Sequence, residues 1–344
     1  RKMRKHNVNV QKRKKHYTVG AILWLIVEYV SLIFFGLCAV VPVISCVITA
    51  FKTQEEYQAK TTWIAQRIDL CDADIIGFQE IFSKKALSDV MAKTQRYRHA
   101  TLICFDQNNP PAILKPQVAL LTRFPLAGSP QTHRNFPKKF QITLPITDTV
   151  INQFSRPVLE APVLLPNGQI LNIYVVHLKS KRPDFIRFTA KPDPYQYGLA
   201  ALRSLMRRAA DALGVRTLVS EFRQDNALPV AILGDFNDFS QAVSTCIITG
   251  EEHESDHSLS PFYRLYDCFD IQTEPETRNG EIARFMEADG TPRIDHIFVS
   301  EEFTETSGYL TGRVKNMIYL QNEGNPDRPE LSDHNLAVVT IELR

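Results

Sequence analysis

Five apolar segments of this chain end at, or directly adjoin, side chains that bind metals or move protons. These groups are Glu80; His177; Asp235 with Asn237 and Asp238; Asp295; and Ser332, Asp333 and His334. Taken singly, each is an ordinary loop or turn residue, since an acid before a turn is common turn chemistry. Strands inside one sheet hold their terminal side chains rigidly at one rim, so five such endings together predict a site.

The pattern of apolar residues predicts alternating strands and helices along about 300 residues. Strands are predicted at 43–51, 72–80, 117–125, 157–180 (a hairpin turning at 166–168), 229–235, 293–300 and 335–343, and helices at 55–70, 84–95 and 196–224. Residues 107–116 are a Pro-rich loop, and 240–290 are polar and irregular. Strands and helices mixed in one continuous stretch predict a single large α/β domain.

Five motifs, GFQE, HLKS, GDFND, IDHIF and SDH, occur in this order along the chain. In sequence and order they resemble the motif series of the endonuclease/exonuclease/phosphatase superfamily, over residues 43–344. The resemblance implies a four-layered α/β sandwich, with two mixed β-sheets packed face to face and helices outside. It also implies an enzyme that hydrolyses phosphoester bonds with the help of a divalent metal ion.

By this resemblance, Glu80 is the principal metal ligand, and Asp333 lies near the metal as a direct ligand or behind one. The implied metal is Mg²⁺, for which Mn²⁺ can substitute. Mg²⁺ prefers oxygen ligands, keeps several waters and needs only one or two carboxylates. Two acids are therefore a sufficient set.

The resemblance also implies a catalytic group. Asp235 orients or deprotonates the attacking water, and Asn237 positions that water and stabilises the transition state. His177 hydrogen-bonds the phosphate. His334 contacts the scissile phosphoryl group and offsets its developing charge, while Asp295 orients His334 and favours its protonated form.

Several cations are candidates for substrate binding. Lys179 follows His177 by two residues, so on a strand it would face the same side. Arg156 precedes the hairpin, where bacterial relatives often direct an Arg at the site. Arg203, Arg207 and Arg208 have helical spacing and could meet a polyanion, although a solvated helix face is the commoner outcome.

One motif of the resembled family is missing. Its members carry an Asn at the end of the first strand, and aligning residues 43–51 with that strand puts Val47 in its place. Val neither coordinates a metal nor donates a hydrogen bond. Either an alternative upstream sequence replaces the first strand, or the enzyme is impaired.

The first 42 residues form a separate region in composition. Residues 1–18 are a basic tail, with eight Lys or Arg and no acid in the first 16. Residues 19–41 are apolar apart from Glu28 and are long enough to span a bilayer. We expect a signal anchor with the body outside the cytoplasm; the alternatives are an export signal, or spurious upstream sequence and a soluble cytoplasmic enzyme.

Charge bears on the substrate. The formal net charge is +2 for all 344 residues, but outside the first 16 residues 32 basic side chains face 38 acidic ones. That net of −6 is not the cationic surface of a protein that grips duplex DNA. We expect a nuclease-type phosphodiesterase, because of the family's breadth and the basic helix that carries Arg203, Arg207 and Arg208. The alternative, which the negative body favours, is a sphingomyelinase-like, small-molecule or inositol phosphate phosphoesterase. A membrane-anchored binding protein with a decayed site is the third hypothesis. The six Cys have no regular spacing and fix no compartment.

Overall fold

The computed structural model describes residues 54–104, 116–186, 193–250, 260–275, 290, 292–320, 332 and 334–344. The chain divides after Ala59 into two units, of which the second is Lys60–Arg344. Several sequence predictions lie outside the described residues: the segment 19–41, the strand 43–51 with Val47, nearly all of the loop 107–116, and Asp333.

The described residues form thirteen strands and five helices. The strands are β1 Ile75–Ile81, β2 Thr101–Cys104, β3 Gln117–Thr122, β4 Gln131–Asn135, β5 Ile142–Thr143, β6 Val150–Ile151, β7 Gln153–Leu164, β8 Ile170–His177, β9 Val230–Asp235, β10 Leu265–Asp267, β11 Asp295–Ser300, β12 Gly312–Leu320 and β13 Leu336–Leu343. The helices are α1 54–71, α2 Lys84–Met91, α3 Pro194–Asn226, α4 Val243–Thr249 and α5 Cys268–Ile271.

The central element is a six-stranded mixed sheet in the order β10-β11-β9-β8-β7-β4, in which β8 and β9 are parallel and the other pairs antiparallel. A second layer contains the antiparallel sheet β1-β3-β2 and the pair β12-β13. A small pair, β5-β6, completes the strands of the described part.

Side chains alternate across the six-stranded sheet, as the pleat requires. On one face Val158, Tyr174 and Ile232 pack with the buried side of α3 and with α4. On the other face Leu159 and Ile173 pack against strands of the second layer, including β3 and β12. The far side of β1-β3-β2 is covered by α1 and α2. Helix, sheet, sheet and helix follow one another, which confirms the predicted layered sandwich.

Local signals explain how the elements begin and turn. The carboxylate of Asp193 caps α3 by accepting a hydrogen bond from the Gln196 amide at 2.9 Å, and Pro194 occupies the first helical position. The β7–β8 hairpin turns at Asn167 and Gly168, where Gly168 has a φ of 82°. A left-handed residue of this kind favours glycine.

Two sequence expectations need correction. Residues 240–290 are not wholly irregular, since α4, β10 and α5 lie in their described part. Strand β12 was not predicted, nor were the short strands β2, β4, β5 and β6. Among the described helices none is both long and apolar enough to cross a membrane.

Candidate active site

Three neighbouring strands bring the predicted catalytic acids and one imidazole together. His177 ends β8 and lies beside Asp235, the last residue of the parallel strand β9. Asp235 also lies opposite Asp295, the first residue of the antiparallel strand β11. The two strand ends and one strand start therefore share one rim of the six-stranded sheet, whereas Glu80 lies on the sheet β1-β3-β2 and His334 just precedes β13 of the pair β12-β13.

Gly234 permits the close approach of β8 and β9 at this rim. Its φ is 146°, and a Cβ atom at this position would lie 1.9 Å from the carbonyl oxygen of Val176. Only glycine fits such a position without moving the neighbouring backbone. The glycine of the GDFND motif therefore sets the spacing between His177 and Asp235.

The Asn237 side chain is fixed against Asp235. The Asn237 backbone amide donates to Oδ1 of Asp235 at 2.7 Å, and its side-chain amide donates to Oδ2 at 2.9 Å. The side-chain amide also donates to the carbonyl oxygen of Leu178 at 3.0 Å. Asn237 has a left-handed φ of 54°, so the backbone turns sharply to make these contacts.

Asp235 is a buried carboxyl group with a raised pKa. It is 5% exposed. Burial and the nearby charge of Asp295 raise its pKa to about 7, against the opposing effects of His334, the Asn237 amide and Arg156. A carboxylate with a pKa near neutrality can accept a proton from water at physiological pH and release it again.

His177 is buried beside Asp235. Its Nε2 lies 3.3 Å from Oδ2 of Asp235, and its Nδ1 has no hydrogen-bond partner among the described residues. Burial, together with the charges of Arg156 and His334, lowers the pKa of His177 to about 3. The imidazole is therefore neutral at physiological pH and carries one N–H that it can donate.

His334 is paired with Asp295. Its Nδ1 lies 2.6 Å from Oδ2 of Asp295, and its backbone amide donates to the Ser332 hydroxyl at 3.1 Å. The His334 side chain is 36% exposed, whereas that of Asp295 is 15% exposed. The carboxylate therefore fixes one ring nitrogen, while part of the ring faces solvent.

Arg156 enters the site from β7. Its Nη1 donates to the carbonyl oxygen of Leu178 at 3.0 Å, and within the described residues its guanidinium makes no other hydrogen bond. Burial lowers the pKa of Arg156, and the nearby charges of Asp211, Asp235 and Glu80 oppose that effect. The guanidinium is thus close to both the predicted base and the predicted metal ligand.

Glu80 is the predicted metal ligand, and its surroundings show whether a divalent metal ion could bind there. It lies near the end of β1, in a β-bulge between Phe78 and Ile81, and has a left-handed φ of 57°. Its side chain is exposed and makes no hydrogen bond or ion pair in the described part of the chain. No group of three possible ligands lies among those residues, but one carboxylate with retained waters suffices for Mg²⁺. Glu80 fits such an ion.

Comparison with known proteins identifies the family of this chain. The profile described as "Endonuclease/Exonuclease/phosphatase family" matches residues 54–334. This chain belongs to the endonuclease/exonuclease/phosphatase family. The members of this family are hydrolases that act on phosphoester bonds. No curated protein sequence matches the chain.

Solved structures of the family share its fold. A mannosyl-6-phosphatase of Bacteroides thetaiotaomicron is 18% identical, with a TM-score of 0.51 and coverage of 86% of this chain and 94% of that one. A family protein of Bacteroides vulgatus is 16% identical, with a TM-score of 0.51, and the match covers 84% of this chain and 92% of that one. Another family protein, from Bacteroides thetaiotaomicron, is 17% identical, with a TM-score of 0.51, and the match covers 86% of this chain and 89% of that one. At such identities the likeness concerns the fold.

The strand argument for Lys179 was wrong for this family member. Strand β8 ends at His177, so Lys179 lies beyond the alternating part of the chain. Its ammonium group donates to the carbonyl oxygens of Ser180 at 3.2 Å and Arg182 at 3.3 Å. Burial lowers the pKa of Lys179, with the charge of Arg156 as the next cause. A substrate would have to compete with those carbonyl groups for this cation.

The basic residues of α3 do not form a solvated cationic face. Arg203 is 2% exposed and Arg208 is 5% exposed. Arg203 donates to the Asp184 carbonyl oxygen at 2.9 Å, and Arg207 donates to the Asp184 carboxylate at 2.7 Å. Arg208 donates to Asp238 at 3.1 Å. Helical spacing alone could not reveal that these charges are used inside the protein.

Two buried acids near the site were given no role from the sequence, although Asp238 is part of the GDFND motif. Asp238 accepts from Arg208 and from the Ser244 hydroxyl at 2.8 Å, and it pairs with Lys181 at 2.8 Å. Asp211 is 1% exposed and accepts two backbone amides. The available signal was the position of Asp211 in α3, four and eight residues before the buried Val215 and Val219.

Proposed function

We propose that this chain hydrolyses a phosphoester by direct attack of a water molecule that Asp235 deprotonates. The observation that carries the proposal is the environment of Asp235, which is buried and hydrogen-bonded to Asn237 and has a pKa of about 7. A general base works best when its pKa lies near the working pH. The family's activity on phosphoester bonds sets the reaction type.

The surrounding residues have separate tasks in this mechanism. Asn237, fixed to Asp235 by two hydrogen bonds, orients the attacking water. Neutral His177 donates its N–H to a non-bridging phosphoryl oxygen. His334 faces the same phosphoryl group, and Asp295 holds the imidazole at 2.6 Å. Such preorganised donors stabilise the charge that develops in the transition state.

Glu80 would hold a divalent ion, with Asp333 as a second carboxylate near it. When bound, Mg²⁺ or Mn²⁺ supplies Lewis-acid stabilisation of the phosphoryl oxygens. Arg156 lies close enough to Glu80 and Asp235 for their charges to affect its pKa. Its guanidinium can therefore clamp the phosphate from the side of β7.

The substrate class follows from where the positive charges lie. The sequence favoured a nuclease-type phosphodiesterase partly through the basic residues of α3. Since Arg203 and Arg208 are buried and Arg207 is bound to Asp184, that helix offers no row of cations to a nucleic acid backbone. Together with the negative body, this supports a small phosphoester, and nuclease activity is the second candidate because the family includes nucleases.

A substrate panel at two salt concentrations tests the proposal. The purified chain with Mg²⁺ is offered a chromogenic phosphodiester, sugar and inositol phosphates, sphingomyelin vesicles, plasmid and an abasic duplex. We expect hydrolysis of small esters with weak salt dependence. Preferred cleavage of the nucleic acids with steep loss of binding at high salt would support the nuclease instead. No hydrolysis of any substrate would contradict the mechanism and favour a binding protein.

A further inference from the structure

Asp211 joins two chain segments that flank the candidate site. It lies in α3 and is 1% exposed. Its Oδ1 accepts the backbone amide of Ser155 at 2.9 Å, and its Oδ2 accepts that of Lys179 at 3.1 Å. Ser155 immediately precedes Arg156 on β7, and Lys179 follows the end of β8 by two residues. One buried carboxylate therefore bridges the strand that carries Arg156 and the segment that follows His177.

The second of these contacts fixes one peptide group. The N–H of the Leu178–Lys179 peptide donates to Asp211, and the C=O of the same peptide accepts from Arg156 and from Asn237, each at 3.0 Å. A peptide group is planar, so fixing the direction of its N–H also fixes the direction of its C=O. The orientation of both site residues thus depends on the acceptor that Asp211 provides.

The charges give a second link between Asp211 and Arg156. Burial raises the pKa of Asp211 to about 6, and the two backbone amides and the charge of Arg156 oppose this rise. Burial lowers the pKa of half-buried Arg156, and the charge of Asp211 is the largest of the effects that raise it again. The carboxylate therefore stabilises the guanidinium in its charged form, which is the form that binds phosphate.

The geometry points to Asp211 as a positioning residue that aims Arg156 at the phosphoryl group through the Leu178–Lys179 peptide. This inference rests on the proposed function, because Arg156 is a phosphate ligand only there. Asp211 itself touches no reacting atom. Its effect should therefore appear in phosphate binding through Arg156 and should depend on the presence of Arg156.

Asp211→Asn is the direct test, because it keeps the size of the side chain and replaces one acceptor oxygen by a donor. Binding of inorganic phosphate to the full chain with Mg²⁺ is measured by calorimetry, and KM and kcat are measured with a chromogenic phosphodiester. We expect phosphate affinity to fall roughly tenfold and KM to rise by a similar factor, as for loss of one well-placed ionic hydrogen bond. We expect a smaller change in kcat.

A double-mutant cycle distinguishes positioning from a general structural role. In an Arg156→Ala background, Asp211→Asn should cause no further loss of phosphate affinity. Asp225→Asn, an exposed residue of the same helix, is the matched control and should leave both measurements unchanged. Equal losses from Asp211→Asn with and without Arg156, or unchanged phosphate affinity in folded Asp211→Asn, would overturn the inference.

Amide hydrogen exchange on the unmodified chain keeps the inference testable if Asp211→Asn does not fold. The amides of Ser155 and Lys179 should exchange as slowly as those of the neighbouring strands, and rapid exchange of the Lys179 amide would overturn the inference.

An active Asp235→Asn variant would instead contradict the proposed function. An inactive Asp235→Asn beside an Asp211→Asn with normal phosphate affinity would overturn the positioning role alone.

Discussion

Asp235 and Asp295 lie directly opposite each other on the antiparallel strands β9 and β11. Burial and this neighbouring carboxylate together raise the pKa of Asp235 to about 7. Asp295 in turn holds His334 through a contact of 2.6 Å. The two acids therefore have different roles because their surroundings differ: Asp235 has a pKa near neutrality, and Asp295 holds the imidazole of His334.

The rate of hydrolysis should follow the ionisation of Asp235. The carboxylate is the active form, so kcat/KM should rise with pH and level off above about 7. Steady-state rates with a chromogenic phosphodiester and saturating Mg²⁺, taken between about pH 5 and pH 9, measure this. A rate that stays constant across that range would contradict the role of Asp235 as base.

Replacing Asp295 should move that pH dependence. In Asp295→Asn the like charge beside Asp235 is removed, so the pKa of Asp235 falls and the rise in rate shifts to lower pH. The maximum rate should also fall, by about ten- to a hundredfold, because His334 loses its anchoring carboxylate. Asp225→Asn serves as control, and an unshifted profile in Asp295→Asn would show that the two carboxylates are not coupled.

The raised pKa of Asp235 should cost stability. A carboxyl group whose pKa is higher in the folded than in the unfolded state stabilises the fold below the unfolded value of 3.8, and this contribution is lost as the pH rises through about 7. Relative to that of Asp235→Asn, the free energy of unfolding of the wild type should therefore fall by up to about 4 kcal/mol over that interval. Urea unfolding in EDTA at several pH values measures it, and a difference independent of pH would refute the assigned environment.

Metal removal should abolish hydrolysis. Excess EDTA should reduce the rate to background, and Mg²⁺ or Mn²⁺ should restore it. Glu80→Gln should raise the Mg²⁺ concentration needed for half-maximal rate by about tenfold or more, because a neutral amide binds this ion poorly. Glu305→Gln, an exposed residue of the described part, is the control. Full activity in EDTA would exclude the metal mechanism.

The sequence predicted the rim of the sheet well. The short apolar runs that end at His177 and Asp235, and the run that begins at Asp295, are buried strands, and a residue at a strand end has few possible positions. The motif order then identified the family, which the match over residues 54–334 confirms. The roles of the individual site residues stay predictions, and Asp333 and Val47 lie outside the described residues.

Contacts between distant segments could not be predicted in the same way. Asp211 accepts amides that lie 56 and 32 residues away along the chain, and no local pattern encodes such a pairing. Arg203 and Arg208 have the spacing of an exposed face, yet both are buried. Arg203 donates to Asp184 and Arg208 donates to Asp238, which are distant along the chain. Buried charges depend on partners that only the fold supplies.

Asp235→Asn is the most direct test of the central claim that Asp235 deprotonates the attacking water. Its kcat on a chromogenic phosphodiester with Mg²⁺ is compared with that of the wild type and of the Asp225→Asn control, after circular dichroism has shown that all three are folded. We predict that kcat falls by about a thousandfold or more in Asp235→Asn and remains unchanged in the control. A folded Asp235→Asn enzyme that retains a kcat within about tenfold of the wild type would contradict that claim.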